Sequence, residues 1–415
     1  MLTIGVGQCG NQILNEFFKT ESKLNDHHPF YTDSEPFSVR VDSEPKVVRL
    51  QGEKTSEFTV FSQSGRANNW AMGYAFDEMR LLERTMEAIR KRMEMCDRFE
   101  GVAMFHSTSG GTGSGLGSRV MTEFRDFYSR KPVLISVAVS GYENTRKHKK
   151  QRRPDSICTG DTGPLRHYNT ILAMDTIQRY ADACLFFSNS RLLRQQIRST
   201  PPSKAKVGMT ELNRDIANAV WNALEPSCRD GGDAYMRGHL DQLLRDTVPV
   251  SAMKLLQAEY AGGQESWTKA WSEIERVTKS LGEYEENVIL GSRLACRGKT
   301  FPNNIEVSSR LRFRKRPIVV WCSRKNREDS NMNDLKTRRR RRSGQTTCSL
   351  SFTHNNTRVA RENISLHLRN LRTLLDERAY LHWYERYGVG KFEIESAMET
   401  MRCVVDEYTS MTRVV

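Results

Sequence analysis

Two glycine-rich stretches hold the residue types best suited to chemistry in this chain. "GVGQCG" spans Gly5 to Gly10, and "HSTSGGTGSGLGS" spans His106 to Ser118. Glycine lets a backbone pass close to a phosphate or turn through positive φ. A helix that starts just after such a turn aims its first amides and its dipole at an anion. The first stretch satisfies GxGxxG, but a dinucleotide site also needs an acidic residue at a second strand end about 20 positions on. Glu16 and Glu21 are near, yet no strand ends there. The second stretch adds the hydroxyls of Ser107, Ser109, Thr112 and Ser114. It lacks the Lys-Ser or Lys-Thr ending of a Walker A loop, so neutralising a phosphate falls to amides, dipole and a metal ion.

These loops need strands before them and helices after them. "LTIGV" (Leu2 to Val6) reads as a strand, followed by Ile13, Leu14, Phe17 and Phe18 at helical spacing. "VAMF" (Val102 to Phe105) and "VLISVAV" (Val133 to Val139) read as buried strands, with Leu116, Val120, Phe124 and Phe127 marking a helix between them. Strand, glycine turn, helix, strand is the pattern of a parallel α/β sheet. A linker does not sit between a buried strand and its crossover helix. Gly110, Gly111, Gly113 and Gly115 are expected to use positive φ or close approach.

Elsewhere Met72, Phe76, Met79, Leu82, Met86, Ile89 and Met93 predict one long helix with a core-facing stripe. Leu212, Ile216, Ala219, Val220 and Ala223 predict another. Residues 225–345 are less regular and read as a second domain with strands such as "PIVVWC" (Pro317 to Cys322). Leu368, Leu371 and Leu375, then Ile394, Ala397, Met398, Met401, Val405 and Tyr408, predict a terminal pair of helices across "YGVGK" (Tyr387 to Lys391).

A chain of 415 residues exceeds one ordinary core, which predicts two or three domains. The net charge of +14 suggests an acidic partner, but two runs, "RKHKKQRR" (Arg146 to Arg153) and "KTRRRRR" (Lys336 to Arg342), carry most of it. Nine cysteines without a CxxC pair argue for reduced thiols, not a disulfide framework or zinc site. No secretory signal is evident, and no stretch approaches the ~20 apolar residues of a membrane span, so the sequence predicts a soluble protein.

"GQCGNQI" (Gly7 to Ile13) together with "GGTGSGLGS" (Gly110 to Ser118) resembles the paired phosphate loops of the tubulin superfamily. "VDSEPKVV" (Val41 to Val48), "RANNWAMGY" (Arg66 to Tyr74), "HYNTIL" (His167 to Leu172), "FSNSRL" (Phe187 to Leu192), "ELNRDIANAV" (Glu211 to Val220) and "RAYLHWYERYG" (Arg378 to Gly388) resemble further tubulin segments in order. The likeness spans nearly the whole chain and is weakest over 225–345. "VDSEPKV", "LACRGK" (Leu294 to Lys299) and "YLHWYERYGV" look most like the delta subfamily of centrioles and basal bodies.

The resemblance implies an α/β fold: a Rossmann-like GTPase domain with a parallel sheet over 1–207, a central helix over 208–228, an α+β domain over 229–350 and a helical hairpin over 351–415. It implies GTP or GDP with Mg2+ as cofactors. Ser107, Gly110, Gly111, Thr112 and Gly113 would cradle phosphates, with Gln8 and Cys9 contacting phosphates and base from the first loop. Asp42 and Glu44 would hold Mg2+, through water because Mg2+ dehydrates reluctantly. Asn68 would contact phosphates while Asn69 holds its turn. Asn189 and Asn213 would read the purine edge, since an amide both donates and accepts.

Three positions depart from the family. Arg166, beside His167, stands where a ribose-binding acid is usual, and Met209 replaces an aromatic over the base. Gln242, with Asp241 beside it, stands where the family supplies an acid to a neighbouring subunit's GTP. A Gln can orient an attacking water, so hydrolysis in trans by Asp241 and Gln242 stays open. Ser109 also replaces the first glycine of a three-glycine run. Implied partners are other tubulins or microtubules and centriolar proteins, in the cytoplasm and cytoskeleton. Neither membrane nor nucleic acid is implied. The alternatives are a GTP-hydrolysing, polymer-forming divergent tubulin and a non-polymerising adaptor that binds acidic microtubule surfaces through its basic loops.

Overall fold

The computed structural model describes residues 1–20, 29–32, 35–45, 57–76, 80–96, 99–142, 163–199, 207–225, 238–279, 287–298, 312–315, 317–323 and 348–413. The basic stretches 146–153 and 338–342 lie outside these described residues. The apolar run at the start forms a fully buried strand, β1 (Leu2–Val6), and passes without a linker into α1 (Gly7–Lys19). A short ribbon of β2 (Tyr31–Thr32) and β3 (Glu35–Pro36) leads to β4 (Ser38–Asp42) and β5 (Thr59–Phe61). Then come α2 (Trp70–Ala75), α3 (Leu81–Glu94) and β6 (Gly101–Ser107). A π-helical turn over Thr112–Leu116 opens α4 (Gly117–Tyr128), followed by β7 (Val133–Ser140), α5 (Leu165–Tyr180), β8 (Ala183–Ser188) and α6 (Asn189–Ser199).

The remainder comprises α7 (Met209–Leu224), α8 (His239–Thr247), β9 (Leu255–Gln264), α9 (Trp267–Lys279), β10 (Val288–Gly298), β11 (Arg312–Phe313), β12 (Ile318–Ser323) and β13 (Cys348–Asn356). A second π turn (Ala360–Ile364) precedes α10 (Ser365–Asp376), α11 (Leu381–Glu385) and α12 (Lys391–Arg413). β5, β4, β1, β6, β7 and β8 lie side by side and all parallel, as buried apolar strands joined by helices must. Their carboxyl ends therefore share one edge: Val6 pairs with Val41 and His106, Ser107 with Val139, and Ser140 with Ser188. In open α/β sheets that edge is where ligands bind.

Among the described residues the sheet does not stop at β8. β9 adds in parallel through Cys184↔Leu255 and Leu185↔Leu256, and β13 and β10 continue it antiparallel, giving one eleven-stranded sheet. Its far end has its own apolar cluster, built on Trp271, Ile274, Leu294, Leu350 and Phe352. We propose on that basis that the domain divisions after 207, 228 and 350 hold within the continuous sheet. α7 packs on α1, its Trp221 ring 4.8 Å from Phe17 and 4.9 Å from Phe30. α10 and α12 pack on α5 and on each other, with α11 interposed through a Tyr168–Tyr384 stack at 4.7 Å.

Two expectations from spacing are corrected. The stripe from Met72 to Met93 is not one helix: Phe76 leaves α2 in extended backbone, and Arg80 opens α3 at a left-handed φ of 52°. The break lets α2 pack on the π turn while α3 packs on β4, β5 and α4, two directions no straight helix can serve. Phe76 is consequently 41% exposed, and Met79 lies outside the described residues. In α4 the buried face is Val120, Met121 and Phe124, while Phe127 is 71% exposed.

Candidate nucleotide site

The two glycine loops meet at the carboxyl edge. A Cβ built on Gly7 would lie 3.0 Å from the Gly113 amide, so the start of α1 and the π turn touch backbone to backbone. Gly7 has φ +72°, a turn only glycine makes cheaply. Neither α1 nor the π turn has a side-chain cap, so their first amides remain free to meet an anion. Gln8 is exposed on the first turn of α1. Cys9 behind it packs against apolar neighbours, which push its thiol up to about 12 and keep it neutral.

Positive φ is not the reason for the glycines of the second loop, since none of Gly110, Gly111, Gly113 and Gly115 adopts it. Close approach is. A Cβ on Gly111 would stand 2.5 Å from the Arg66 carbonyl and 2.7 Å from the Asn69 amide, and one on Gly113 would stand 2.8 Å from the Ser107 amide. One on Gly115 would collide with the Trp70 carbonyl and lie 2.8 Å from Gly73 Cα. Gly110 is different: nothing lies nearer than Asn68 Oδ1 at 3.9 Å, so the space above it is open. Ser109 also needs no positive φ. It is buried, and its hydroxyl accepts from the Gly141 amide at 3.1 Å and lies 3.3 Å from Ser107 Oγ, tying the loop to the end of β7.

Asn68 faces Gly110 from a left-handed turn (φ 51°), and Asn69 holds that turn: its Oδ1 accepts from Met72 N at 3.2 Å and its Nδ2 donates to the Trp383 carbonyl at 2.9 Å. Thr112 Oγ1 lies 2.6 Å from Ser43 Oγ, which brings the Asp42 segment onto the π turn. Asp42 is 4% exposed, its Oδ2 has no hydrogen-bond partner, and burial pushes its carboxyl up to about 7. An orphaned buried carboxylate oxygen beside a phosphate cradle fits a cation. Glu44 is exposed and its carboxylate lies over Gly65.

On the far side of the cradle Asn189, at the junction of β8 and α6, is 7% exposed with Oδ1 unpartnered. Asn213 is buried on α7. Tyr142, just past β7, donates its hydroxyl to Met209 Sδ at 3.1 Å, so an aromatic ring stands beside the residue that replaces one. Arg166 donates to the Tyr142 carbonyl, and His167 Nδ1 lies 3.0 Å from His367 Nδ1 on α10. A guanine nucleotide with Mg2+ would meet uncapped helix starts, open space over Gly110, an orphan carboxylate and an orphan amide along one edge. The residues present fit the group.

Asp241 and Gln242 are not part of this cluster. Leu240, the residue before them, lies 3.0 Å from a Cβ built on Gly101, and the Gly238 amide donates to Glu100 Oε1 at 3.4 Å. Both contacts lie at the amino end of β6, roughly 20 Å of strand away from Ser107. Asp241 lines a cavity of about 380 Å³ there, with Glu100 and Lys131. These side chains cannot reach the cradle of their own chain.

Sequence reasoning missed two residues. Asn169 is fully buried and joins the Asn68 turn to the second glycine loop. His106 is fully buried directly beneath the π turn. Asn169 lies among His167, Tyr168 and Thr170 at the start of α5, and His106 opens the polar run through Ser109 at the end of β6, so neither stands out from its neighbours by type.

Residues 1–196 match the model of the Tubulin/FtsZ family GTPase domain. Over these residues, a little under half of its length, the chain carries a GTPase domain of the tubulin type. The chain is similar to delta chains: the human tubulin delta chain is 28% identical over 293 residues, covering 62% of this chain and 60% of the relative. The chain thus spans about 60% of the length of the delta chains it matches. The tubulin gamma chain of Candida albicans is 27% identical over 264 residues, 59% of this chain and 48% of the relative. The tubulin beta-1 chain of Hypocrea rufa is 23% identical over 458 residues, 97% of this chain and 93% of the relative.

Proposed function

We propose that this chain is a GTP-binding, delta-like cytoskeletal tubulin that acts in the structure of centriolar or basal-body microtubules in the cytoplasm. The observation that carries it is the convergence at one sheet edge of two uncapped helix starts, the open space over Gly110 and the unpartnered Asp42 Oδ2 and Asn189 Oδ1. Ser107, Gly110, Gly111, Thr112 and Gly113, with Asn68 and Gln8, bind and orient the phosphates through backbone amides and short polar groups. Asp42 holds Mg2+, with Glu44 reaching it through water; the ion, when bound, neutralises phosphate charge. Asn189 and Asn213 read the base, and Cys9 packs beneath it as a neutral thiol.

Asp241 and Gln242 sit at the opposite pole, so they serve a nucleotide only when another subunit stacks against this one. Other tubulins, microtubules and centriolar proteins are the proposed partners. The test is GTP turnover against protein concentration. Turnover per chain should rise with concentration, and Asp241→Ala with Gln242→Ala should lower it on the order of 100-fold while nucleotide affinity stays unchanged. Turnover independent of concentration, or loss of affinity in the variants, would contradict a role in trans. The half-buried, uncharged Gln242 favours a second reading, a non-hydrolysing adaptor on acidic microtubule surfaces. It predicts salt-sensitive microtubule binding with no turnover at any concentration.

A further inference from the structure

Beneath the phosphate cradle three adjacent strands carry a buried line of polar groups. His106, next to last on β6, is fully buried, and its Nε2 lies 2.8 Å from Ser136 Oγ on β7. Cys184 on β8 is fully buried as Ser136 is, and the Ser136 hydroxyl bears on its thiol, favouring the charged form against burial. On its other side the ring reaches the loop. Its Nδ1 lies 3.4 Å from the Ser107 carbonyl, and the Gly113 backbone also bonds the ring. Ring atoms stand 3.6 Å from where a Gly117 Cβ would be, so the imidazole fills the floor below the π turn.

Burial pushes His106 down to about 4, so the ring is neutral, with one N–H and one lone pair. The Nδ1 side faces backbone carbonyls and must carry the proton. Nε2 then accepts from the Ser136 hydroxyl. The contacts run in one direction, from Ser136 on β7 through the ring to the loop, and both ring nitrogens have a partner. The π turn is the irregular part of this junction, and such turns recur where a helix is adapted to a ligand.

We propose that His106 is a positioning residue for nucleotide binding: held by Ser136, it fixes the π turn so that the amides of Gly110 to Gly113 face the phosphates. The inference rests on the GTP-binding reading above. The ring is fully buried beneath the π turn, so it acts through the loop it supports.

The experiment uses the full chain stripped of nucleotide and titrated with fluorescent GTP in the presence of Mg2+, with guanosine as the comparison ligand. His106→Phe, which fills the floor without a polar group, should weaken GTP binding about 10- to 100-fold, the usual cost of removing a group that orients a direct ligand contact. Guanosine binding should be unchanged, because only the phosphate amides move. His106→Asn, which restores an N–H toward the loop, should recover most of the loss, and Ser136→Ala should show a several-fold loss. A merely structural role predicts equal losses for GTP and guanosine and no recovery in His106→Asn. His106→Phe with wild-type GTP affinity would overturn the inference alone. Wild-type protein that binds no GTP would overturn the functional reading and this inference with it. If His106→Phe does not fold, Ser136→Ala decides: it must weaken GTP more than guanosine, and equal effects on the two ligands overturn the proposal.

Discussion

Asn169→Ala is expected to lower the free energy of unfolding by about 3–5 kcal/mol and to abolish tight nucleotide binding. The side chain is fully buried on α5 and uses its whole hydrogen-bonding capacity. Its Nδ2 donates to the Asn68 carbonyl at 2.7 Å and the Ser109 carbonyl at 2.6 Å. Its Oδ1 accepts from Trp70 N at 2.8 Å and from the Tyr384 hydroxyl at 2.7 Å. One amide therefore fastens the turn that carries Asn68, the start of α2, the phosphate loop and α11. Alanine would strand two carbonyls and an amide in the interior, each costing about 1–3 kcal/mol. The Tyr384 hydroxyl loses less, since it also reaches the Leu165 carbonyl at 3.3 Å. Neighbouring losses are not additive, which keeps the total below their sum. Urea unfolding at an unchanged m-value measures the stability effect. A loss under about 1 kcal/mol would mean the clasp does not carry the junction. Asn169→Asp should not rescue it, because it keeps both acceptors but loses the donors and buries a charge.

The second large effect separates two neighbouring glycines. Gly110→Ala should leave the free protein as stable as wild type, since its added methyl meets nothing nearer than Asn68 Oδ1 at 3.9 Å and its φ is not positive. Replacing glycine where alanine fits the backbone even restricts the unfolded chain. The same methyl occupies the space assigned to phosphate, so GTP affinity should fall about 100-fold or more, roughly the 3 kcal/mol of a steric misfit. Gly115→Ala should fail in the opposite way. Its methyl meets the Trp70 carbonyl and Gly73 Cα, so α2 and the π turn must separate, at about 1–3 kcal/mol of stability. Thermal unfolding and nucleotide titration of both variants check the contrast. Wild-type affinity in Gly110→Ala would show that the ligand does not sit over that residue.

Much of the site was legible because it depends on order along the chain. Apolar runs before Gly7 and Gly110, and helical spacing after them, placed both loops on parallel strands, and Asn69 as the turn-holding residue followed from its loop. What spacing could not supply was the reason each polar residue stands where it does. The glycines of the second loop suggested positive φ or close approach, and of these the packed structure uses close approach, at Gly111, Gly113 and Gly115. The stripe from Met72 to Met93 kept helical period across a real break, because both helices bury one face against the same core. Asn169 and His106 stand among other polar residues at the start of α5 and the end of β6, and only the fold brings Asn68, Ser109 and the π turn to them. The distance between Asp241 and the cradle is likewise a tertiary fact: it follows from α8 docking at the amino end of β6.

The most direct test of the central claim is to purify the folded full-length chain without added nucleotide, release any bound ligand by denaturation and identify it by chromatography. The account predicts a guanine nucleotide, GTP or GDP, in near-stoichiometric amount. A folded chain that releases none and takes up none, or one that releases an adenine nucleotide instead, would contradict it.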